Sequence, residues 1–141
     1  AGFMGALPMN LVECTLVKDD GFAVRVTTAS GDNIDLPLED PDSIYQSYLN
    51  KNVMFGIRSE HFARRELIKG PLPDYMGSIT CEVEVIEPTG AETMVIFRFG
   101  DRQMVARVEP ENAPQAGDEI SLTVDMRRAC LFDPDTEKRI V

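Results

Sequence analysis

Apolar and polar residues alternate in short stretches along most of this chain. Val12, Cys14 and Leu16, for example, are separated by Glu13 and Thr15. Successive side chains of a β-strand point to opposite faces of a sheet, so a period of two predicts a strand with one buried face. Similar alternating or mostly apolar segments occupy residues 22–26, 34–38, 53–58, 79–85, 93–99, 103–108, 120–124 and 131–132. The pattern therefore predicts about eight or nine short strands.

Turn sequences separate these segments. The residues DDG at 19–21, SGDN at 30–33 and GD at 100–101 are typical of the turns that join antiparallel strands. Pro37 has no backbone N–H to donate, so it predicts that the third strand lies at the edge of a sheet. We expect the first third of the chain to form a β-meander.

One short helix is predicted, ending near Asn50. Asp40 is typical of an N-cap and Pro41 of the first helical position. Within residues 44–49, two pairs of apolar or aromatic side chains are four residues apart, which is the spacing of neighbours on a helix. Ser59 is predicted to cap a further single turn.

These elements predict an all-β fold class with one short helix. A parallel βαβ array is excluded because helices do not alternate with the strands, so the expected architecture is a sandwich or small barrels. The loop GPLPD at 70–74 is the best internal boundary. We therefore expect one part in residues 1–70 and a second in 71–141, with the last strands either completing the second part or returning to the first.

The charge of the chain limits its partners. There are 24 Asp and Glu residues against 14 Lys and Arg, which gives a net charge of -10. This charge repels a phosphate backbone, so we expect no nucleic-acid partner. No segment approaches the roughly 18 uninterrupted apolar residues that a membrane span needs, so we expect no direct membrane insertion.

The cysteines favour a reducing compartment. Cys14, Cys81 and Cys130 are odd in number and widely spaced, which fits neither a disulfide framework nor a zinc motif. They fall within apolar strand segments, where cysteine acts as a small hydrophobic residue. The first residues lack the basic and long apolar parts of a signal peptide, and the chain begins without Met, so we expect it to be cut from a longer polypeptide.

The sequence offers little material for catalysis. His61 is the only imidazole. It is either a general base oriented by Glu60 or, as we favour, a histidine that is hydrogen-bonded within the fold. There is no glycine-rich phosphate-binding motif, and the aspartate-rich turns lack the spacing of a calcium loop. We therefore expect this chain not to be an enzyme and to hold no catalytic residue, cofactor or metal.

Two segments resemble signatures of one family of transport proteins. FMGALPMN at 3–10 is similar to F-I-G-S-P-x-M-N, with Ala6 in place of Ser and Leu7 in place of Pro. GIRSEHF at 56–62 is similar to G-I-R-P-E-H-L, with Ser59 in place of Pro. The first signature marks the junction between an ATPase domain and the region that follows it.

Two further segments resemble the same family. VIEPTGAET at 85–93 is similar to V-v-E-x-x-G-x-E-T, and LFDPDTEKRI at 131–140 is similar to L-F-D-x-x-T-G-x-x-L. All four matches occur in the family's order and extend from one end of the chain to the other. The chain is thereby identified as a member of the C-terminal regulatory, transport-associated OB (TOBE) region of maltose-type ABC importer ATP-binding proteins.

The resemblance implies two small OB-like β-barrels that follow the ATPase domain of a solute importer. In this family the region tethers and orients the ATPase homodimer, and in some members it binds regulators or the transported solute. It also implies that ATP and Mg²⁺ belong to the parent protein's ATPase domain. The expected location is the cytoplasm, at the inner face of the cell membrane, where the parent docks on a permease.

The matched segments define two groups of candidate residues. Arginine can form a fork onto carboxylate or carbonyl oxygens, and glycine permits a positive φ or a close backbone approach. The signature residues, which we expect to hold the fold or to form an interface, are Gly56, Arg58, Glu60, His61, Glu87, Gly90, Glu92 and Phe132. The residues expected to contact the attached ATPase domain are Phe3, Met4, Met9 and Asn10.

Three functional hypotheses remain open. The first is a non-catalytic regulatory and dimerisation module of an ABC importer for a sugar, a polyamine or a similar solute. Its partners are a second copy of itself, the attached ATPase domain and, in some systems, a regulatory protein. The alternative is a small-solute-binding module that senses the transported substrate. A third, single-stranded nucleic-acid binding, needs exposed aromatic residues beside a basic groove, which the composition disfavours.

Overall fold

The computed structural model describes residues 9–39 and 44–141, and in this part of the chain ten β-strands form two five-stranded sheets. The all-β prediction is confirmed. The strands are β1 (Asn10–Lys18), β2 (Phe22–Thr27), β3 (Asn33–Pro37), β4 (Asn52–Ile57), β5 (Phe62–Arg64), β6 (Met76–Pro88), β7 (Thr93–Phe99), β8 (Arg102–Val108), β9 (Glu119–Asp125) and β10 (Cys130–Phe132).

The first sheet has the strand order β10-β4-β1-β2-β3, and all of its neighbours are antiparallel. The tight turn between β1 and β2 needs Gly21, whose φ of +133° is in a region that other residues rarely adopt. β3 lies at the edge of the sheet, as Pro37 predicts. The predicted meander at the start of the chain is therefore confirmed.

The second sheet has the strand order β5-β9-β6-β7-β8 and is also antiparallel. β6, β7 and β8 follow one another as a meander whose outer strand is β8. β5, which is only three residues long, was not predicted as a strand. Three residues are too few for a period of two to be recognised.

The chain crosses between the two sheets outside the loop at 70–74. β5 follows β4 directly in sequence but pairs with β9 of the second sheet. β10 returns to the first sheet, where Leu131 pairs with Phe55 of β4. The last strands therefore serve both sheets, and the division into 1–70 and 71–141 stays a prediction.

Both sheets contribute to one continuous hydrophobic core. Leu16 and Val24 of the first sheet are fully buried, as is Leu122 of the second. Phe62 and Phe97 meet edge to face, with ring centroids 5.5 Å apart. Full burial of a valine, leucine or phenylalanine side chain stabilises a fold by about 1.5–3 kcal/mol, so the buried faces of the strands supply most of the stability of this fold.

The alternation in β6 is interrupted by a β-bulge, which corrects one sequence-based assignment. The pairing register with β7 shifts between Val83 and Val85. Val83 is 1% exposed in the core, whereas Val85 is 42% exposed on the outer face. Val85 was expected on the buried face, but the extra residue of a bulge moves the following side chains to the opposite side. Ile86 takes the inward position instead.

The predicted helix is present as a short 3₁₀ helix over Ile44–Tyr48, while its expected start at Asp40 lies outside the described residues. Tyr45 is buried, with its ring centroid 5.5 Å from that of Phe22. A second 3₁₀ turn covers Ser59–His61. Its N-cap is Arg58 and no side chain caps it, so the prediction that Ser59 is the cap is wrong.

Candidate interface around the signature residues

The signature segment after β4 forms a tight turn that holds two opposite charges together. The backbone N–H of His61 donates to the carbonyl of Arg58 at 3.0 Å and closes the turn. On the same turn, Nη2 of Arg58 lies 3.1 Å from Oε2 of Glu60. Because the arginine and the glutamate of the R-x-E segment lie on the same short turn, their side chains pair locally.

Arg107 of β8 joins this turn to the start of β7. Its Nη2 lies 3.9 Å from Oε1 of Glu60, and its Nε lies 3.5 Å from Oε2 of Glu92. Two signature glutamates, far apart in sequence, thus share one arginine. We call Arg58, Glu60, His61, Glu92 and Arg107 the signature cluster.

The backbone and the neighbouring charges favour the ionised form of Glu60. The pKa of Glu60 is lowered, first by a hydrogen bond from its own backbone N–H and then by the positive fields of Arg58, Arg107 and His61. Partial desolvation opposes these effects without outweighing them. Because the glutamate and arginine side chains are 32–40% exposed, each pair contributes little to stability, about 0–1 kcal/mol.

Three buried nitrogen atoms of the cluster have no hydrogen-bond partner within the described residues. They are Nε of Arg58, Nδ1 of His61 and Nε of Arg107. Nε of Arg107 is near Glu92, but the contact does not have hydrogen-bond geometry. Polar atoms that are hidden from solvent usually find partners, so these atoms give the cluster unused hydrogen-bonding capacity.

Gly56 and Phe132 lie elsewhere, on the outer face of the first sheet. A Cβ atom at position 56 would overlap Sδ of Met9 and would meet a methyl group of Leu11 at 3.1 Å, so this glycine permits a close approach. Phe132 is 8% exposed and packs with Met54 and Cys130. Met9 and Leu11 are partly buried against these three residues. We call this group the outer apolar cluster.

The signature residues Gly90 and Glu87 lie in and beside the β6–β7 turn. A Cβ atom at position 90 would meet no other atom within 4 Å, so space does not require a glycine there. The φ of +96° does favour glycine, because other residues rarely adopt this backbone conformation. The turn is closed by Thr89, whose N–H and hydroxyl both donate to the carbonyl of Glu92, at 2.8 and 2.9 Å. Glu87 is exposed on β6.

Asn10 connects the two sheets. Its Nδ2 donates to the carbonyl of Val105 at 2.9 Å, and the N–H of Val105 donates back to Oδ1 of Asn10 at 2.9 Å. An amide side chain thus satisfies both backbone groups of one residue on the open edge of β8. Phe3 and Met4, which were predicted with Met9 and Asn10 to contact the ATPase domain, lie outside the described residues.

The structure therefore divides the predicted residues into separate places. Arg58, Glu60, His61 and Glu92 come together at one end of the second sheet, whereas Gly56, Phe132 and Met9 share the outer face of the first. Sequence reasoning missed Arg107, which completes the signature cluster. Its outward position on β8 could have been read from the alternation, but its partners depend on how distant segments meet.

Other chemistry is not supported by the described residues. Burial raises the pKa of Cys14 to about 12, with a further contribution from Glu13, and burial likewise raises the pKa of Cys81 to about 12. The interpretation of the cysteines as small hydrophobic residues is confirmed by the burial of all three. Within residues 9–39 and 44–141, no group of three His, Cys, Asp or Glu side chains could hold a metal ion.

A small pocket lies between the ends of the two sheets. It has a volume of about 160 Å³. Inside it the guanidinium of Arg127 lies 3.8 Å from the ring centroid of Tyr75, and Glu39 and Asp74 add two carboxylates. Ligand sites for drug-sized molecules occupy about 300–1,000 Å³, so this pocket suits only a small solute.

Comparisons with known proteins agree with this architecture. The MalK OB fold domain matches residues 8–62, which include β1 to β4, and the TOBE domain matches residues 77–129, which include β7 to β9. The cytoplasmic molybdate-binding protein ModG, solved with molybdate bound, superposes with a TM-score of 0.65 at 16% identity. The alignment covers 89% of this chain and 96% of ModG, and it shows that the fold is shared.

Curated relatives align over 99% of this chain. The multiple sugar-binding transport ATP-binding protein MsmK of Streptococcus mutans is 32% identical, the sulfoquinovosyl glycerol transport ATP-binding protein SmoE of Agrobacterium fabrum 31%, and the sn-glycerol-3-phosphate import ATP-binding protein UgpC of Salmonella typhimurium 32%. The chain spans only 35–36% of the length of these relatives.

None of the helical segments in the described residues is long and apolar enough to cross a membrane. Two domain matches, four signature segments and curated relatives that align over 99% of the chain all lead to one assignment. The chain belongs to the MalK OB-fold and TOBE domain family of ABC importer ATP-binding proteins.

Proposed function

We propose that this chain is the non-catalytic regulatory and dimerisation module of the ATP-binding subunit of an ABC solute importer. The observation that carries the proposal is the alignment of 99% of the chain with about a third of each ATP-binding relative. ATP and Mg²⁺ would bind in the parent's ATPase domain. The solute is a sugar, a polyamine or a similar small molecule.

The Asn10 bridge supplies a physical route from an attached domain into this module. Asn10 lies at the start of β1, next to the segment that carries the predicted junction with the ATPase domain. Its two hydrogen bonds to Val105 tie that junction directly to β8 of the second sheet. A displacement of the ATPase domain would therefore act on both sheets. Coupling of about 1–3 kcal/mol changes an equilibrium five- to 150-fold, which suffices for regulation.

The signature cluster is the part of the surface best suited to polar contacts with another polypeptide. Arg58, His61 and Arg107 each keep a buried nitrogen without a partner in the described part of the chain. A carboxylate or a backbone carbonyl from a regulatory protein or a second copy would reach the partly exposed guanidinium groups of Arg58 and Arg107, whereas the buried nitrogens become accessible only if the cluster rearranges. Contacts of this kind favour specificity and orientation over raw affinity.

Self-association can be measured on the chain itself. Sedimentation equilibrium over a hundredfold range of concentration is expected to show a reversible monomer–dimer equilibrium. The apparent mass should rise with concentration and should not exceed that of two chains. A mass that stays at 15.7 kDa at the highest concentration would contradict dimerisation by this module.

A second candidate function, the sensing of the transported solute, is favoured by the pocket beside Tyr75 and Arg127. A thermal-shift screen of sugars, polyamines and oxyanions tests it, because a ligand that binds only the folded chain raises the melting temperature by mass action. Arg127→Gln removes the charge over the Tyr75 ring and should reduce the shift of a sugar or an oxyanion that binds in this pocket. No shift with any solute class would remove this candidate.

The proposed location follows from the parent protein. The module would lie in the cytoplasm, on the inner face of the cell membrane, where the parent binds a membrane permease. Fractionation of cells that express the tagged parent tests this: it should sediment with membranes when the permease is present and stay in the supernatant when the permease gene is deleted. Membrane association that survives the deletion would contradict docking through the permease.

A further inference from the structure

Three partly exposed apolar side chains cross the outer face of the β6–β7–β8 meander. The pairing register sets Val85 beside Ile96, and Ile96 beside Val105. Val85 is 42% exposed, and its two neighbours are partly exposed. We call these three side chains the row. Contiguous apolar surface rimmed by polar residues is typical of an interaction site.

The row depends on the β-bulge in β6. Without the register shift after Val83, the side chain of Val85 would point into the core. The bulge places Val85 directly opposite Ile96. Bulges recur where a strand must re-aim a side chain, so a specific irregularity of the backbone keeps this valine on the surface.

Several of the charges beside the row already have partners within the chain. On one side, Glu84 accepts a hydrogen bond from Nε2 of Gln103 at 3.1 Å, and its Oε2 lies 3.6 Å from Nε of Arg98. On the other side, Nε of Arg107 lies 3.5 Å from Oε2 of Glu92. A partner of the row is therefore selected mainly by its own apolar surface.

The chain leaves the fold toward its N-terminus beside one end of the row. Asn10 begins β1 and pairs with Ile57, the last residue of β4. Its side-chain amide holds both backbone groups of Val105, each at 2.9 Å. Across the strands, Ile96 lies about 4.8 Å beyond Val105, and Val85 lies about 10 Å beyond it. The exit of the chain and the row are therefore neighbours.

The segment that joins this module to the ATPase domain of the proposed parent is short. The signature at residues 3–10 marks that junction. From position 3 to position 10 an extended chain spans at most about 24 Å. A domain attached there is held within reach of the row, and the row is the open apolar surface beside the exit. Ile44 and Leu67, which are also exposed, lie in separate 3₁₀ segments.

We propose that the row is the docking face for the attached ATPase domain, which covers Val105, Ile96 and Val85 with an apolar patch of its own. The inference rests on the proposed function and adds the surface through which the two domains contact each other. Because Asn10 fixes β8 to the exit of the chain, a change in the ATPase domain would be transmitted through the row as well as through the junction.

The size of the face favours an attached partner over a free one. Three strands about 4.8 Å apart and five to six residues long at about 3.4 Å per residue cover roughly 300 Å². A standard interface buries about 800 Å² on each partner, so a free protein would bind this face weakly. A short tether raises the effective concentration to about the millimolar range, which makes a small contact effective.

Thiol labelling in the isolated chain and in the purified parent, without its permease, tests the docking face. Ile96→Cys should react with a maleimide about tenfold more slowly in the parent, because tethering favours the docked state. The matched control is Thr80→Cys, which is exposed on the part of β6 that pairs with β9 and should react equally in both proteins. The native cysteines of the chain are buried, and peptide mass spectrometry assigns the label to its position.

The outcomes separate this inference from the proposed function. A parent that hydrolyses ATP but reacts at position 96 as fast as the isolated chain would overturn the docking face alone. A full-length polypeptide that neither binds nor hydrolyses ATP would contradict the proposed function itself. Protection that grows with the concentration of the parent would assign the row to a second copy, and protection that appears only after the permease is added would assign it to that subunit. Either result overturns the inference.

A longer tether tests whether the contact forms within one polypeptide. A flexible Gly–Ser spacer between Gly5 and Ala6 that lengthens the segment about fourfold should lower the effective concentration about eightfold. Labelling of Ile96→Cys in the parent should then accelerate severalfold toward the rate of the isolated chain. A rate that does not respond to the spacer would contradict docking by the attached domain. Thr80→Cys in the same background should show no change in rate.

Discussion

The outer faces of the two sheets differ in how their apolar residues are covered. On the first sheet Met54, Cys130 and Phe132 are each 6–8% exposed. On the second sheet Val85 is 42% exposed, and its neighbours in the row are partly exposed. Apolar surface that is removed from water stabilises the fold, whereas apolar surface left open favours association. The comparison predicts that substitutions on the first face reduce stability and substitutions on the second reduce contact with the attached ATPase domain.

The largest loss of stability is expected for Phe132→Ala. Removing a buried aromatic side chain leaves a cavity, and such changes typically cost about 3 kcal/mol or more. Urea unfolding followed by circular dichroism measures the loss. The control is Leu67→Ala, because Leu67 is 53% exposed and its truncation should cost little. Equal losses for both variants would mean that the outer apolar cluster does not hold β10 in place.

A smaller loss is expected for Asn10→Ala. This change removes two hydrogen bonds and leaves the N–H and carbonyl of Val105 without their partners, which costs about 1–3 kcal/mol. Amide hydrogen exchange should show faster exchange at Val105 in the variant. Asn33→Ala, in an exposed pair with Thr27, is the matched control and should stay within about 0.5 kcal/mol of the unsubstituted chain.

A still smaller effect on stability is expected for Val85→Ser. Val85 is too exposed to contribute much to the core, so unfolding should change by less than about 1 kcal/mol. Protection of Ile96→Cys from maleimide in the parent should nevertheless fall severalfold when Val85→Ser is added. A large loss of stability without loss of protection would reverse the comparison between the two faces.

The smallest effect is expected in the acid sensitivity of Asp133. The backbone N–H groups of Asp135 and Thr136 lower the pKa of Asp133, and the hydroxyl of Tyr48 adds to this. A lowered folded pKa means that the stabilisation is complete above the unfolded value of about 4 and is lost as the pH falls through the folded value. Asp133→Asn should therefore flatten acid unfolding slightly. An acid-unfolding curve that is the same for Asp133→Asn and for the unsubstituted chain would contradict this expectation.

Much of the secondary structure could be predicted from the sequence, because a strand with one buried face leaves a local pattern. β7 was predicted with its observed bounds, and Pro37 identified an edge strand. The bulge at Glu84 could not be predicted, since nothing in the composition of β6 marks the extra residue. The alternation of apolar residues continues through it and places Val85 on the wrong face.

The signature residues were found by their order in the sequence, but their contacts were not. Arg58 and Glu60 are near enough in sequence for a pair to be expected. Arg107 and Val105 meet their partners only because the topology places β8 beside the turn after β4 and the start of β1. These long-range contacts depend on how the two sheets are arranged, and a single sequence carries no local signal that predicts them.

The return of β10 to β4 has a consequence for synthesis. A ribosome delivers β1 to β4 early, yet the strand that covers the outer edge of β4 is made only after the whole second sheet has been translated. Until then, β4 presents an open edge that other nascent chains could join. The first sheet can therefore be completed only after β10 has been synthesised and has paired with β4, which is a late step in folding.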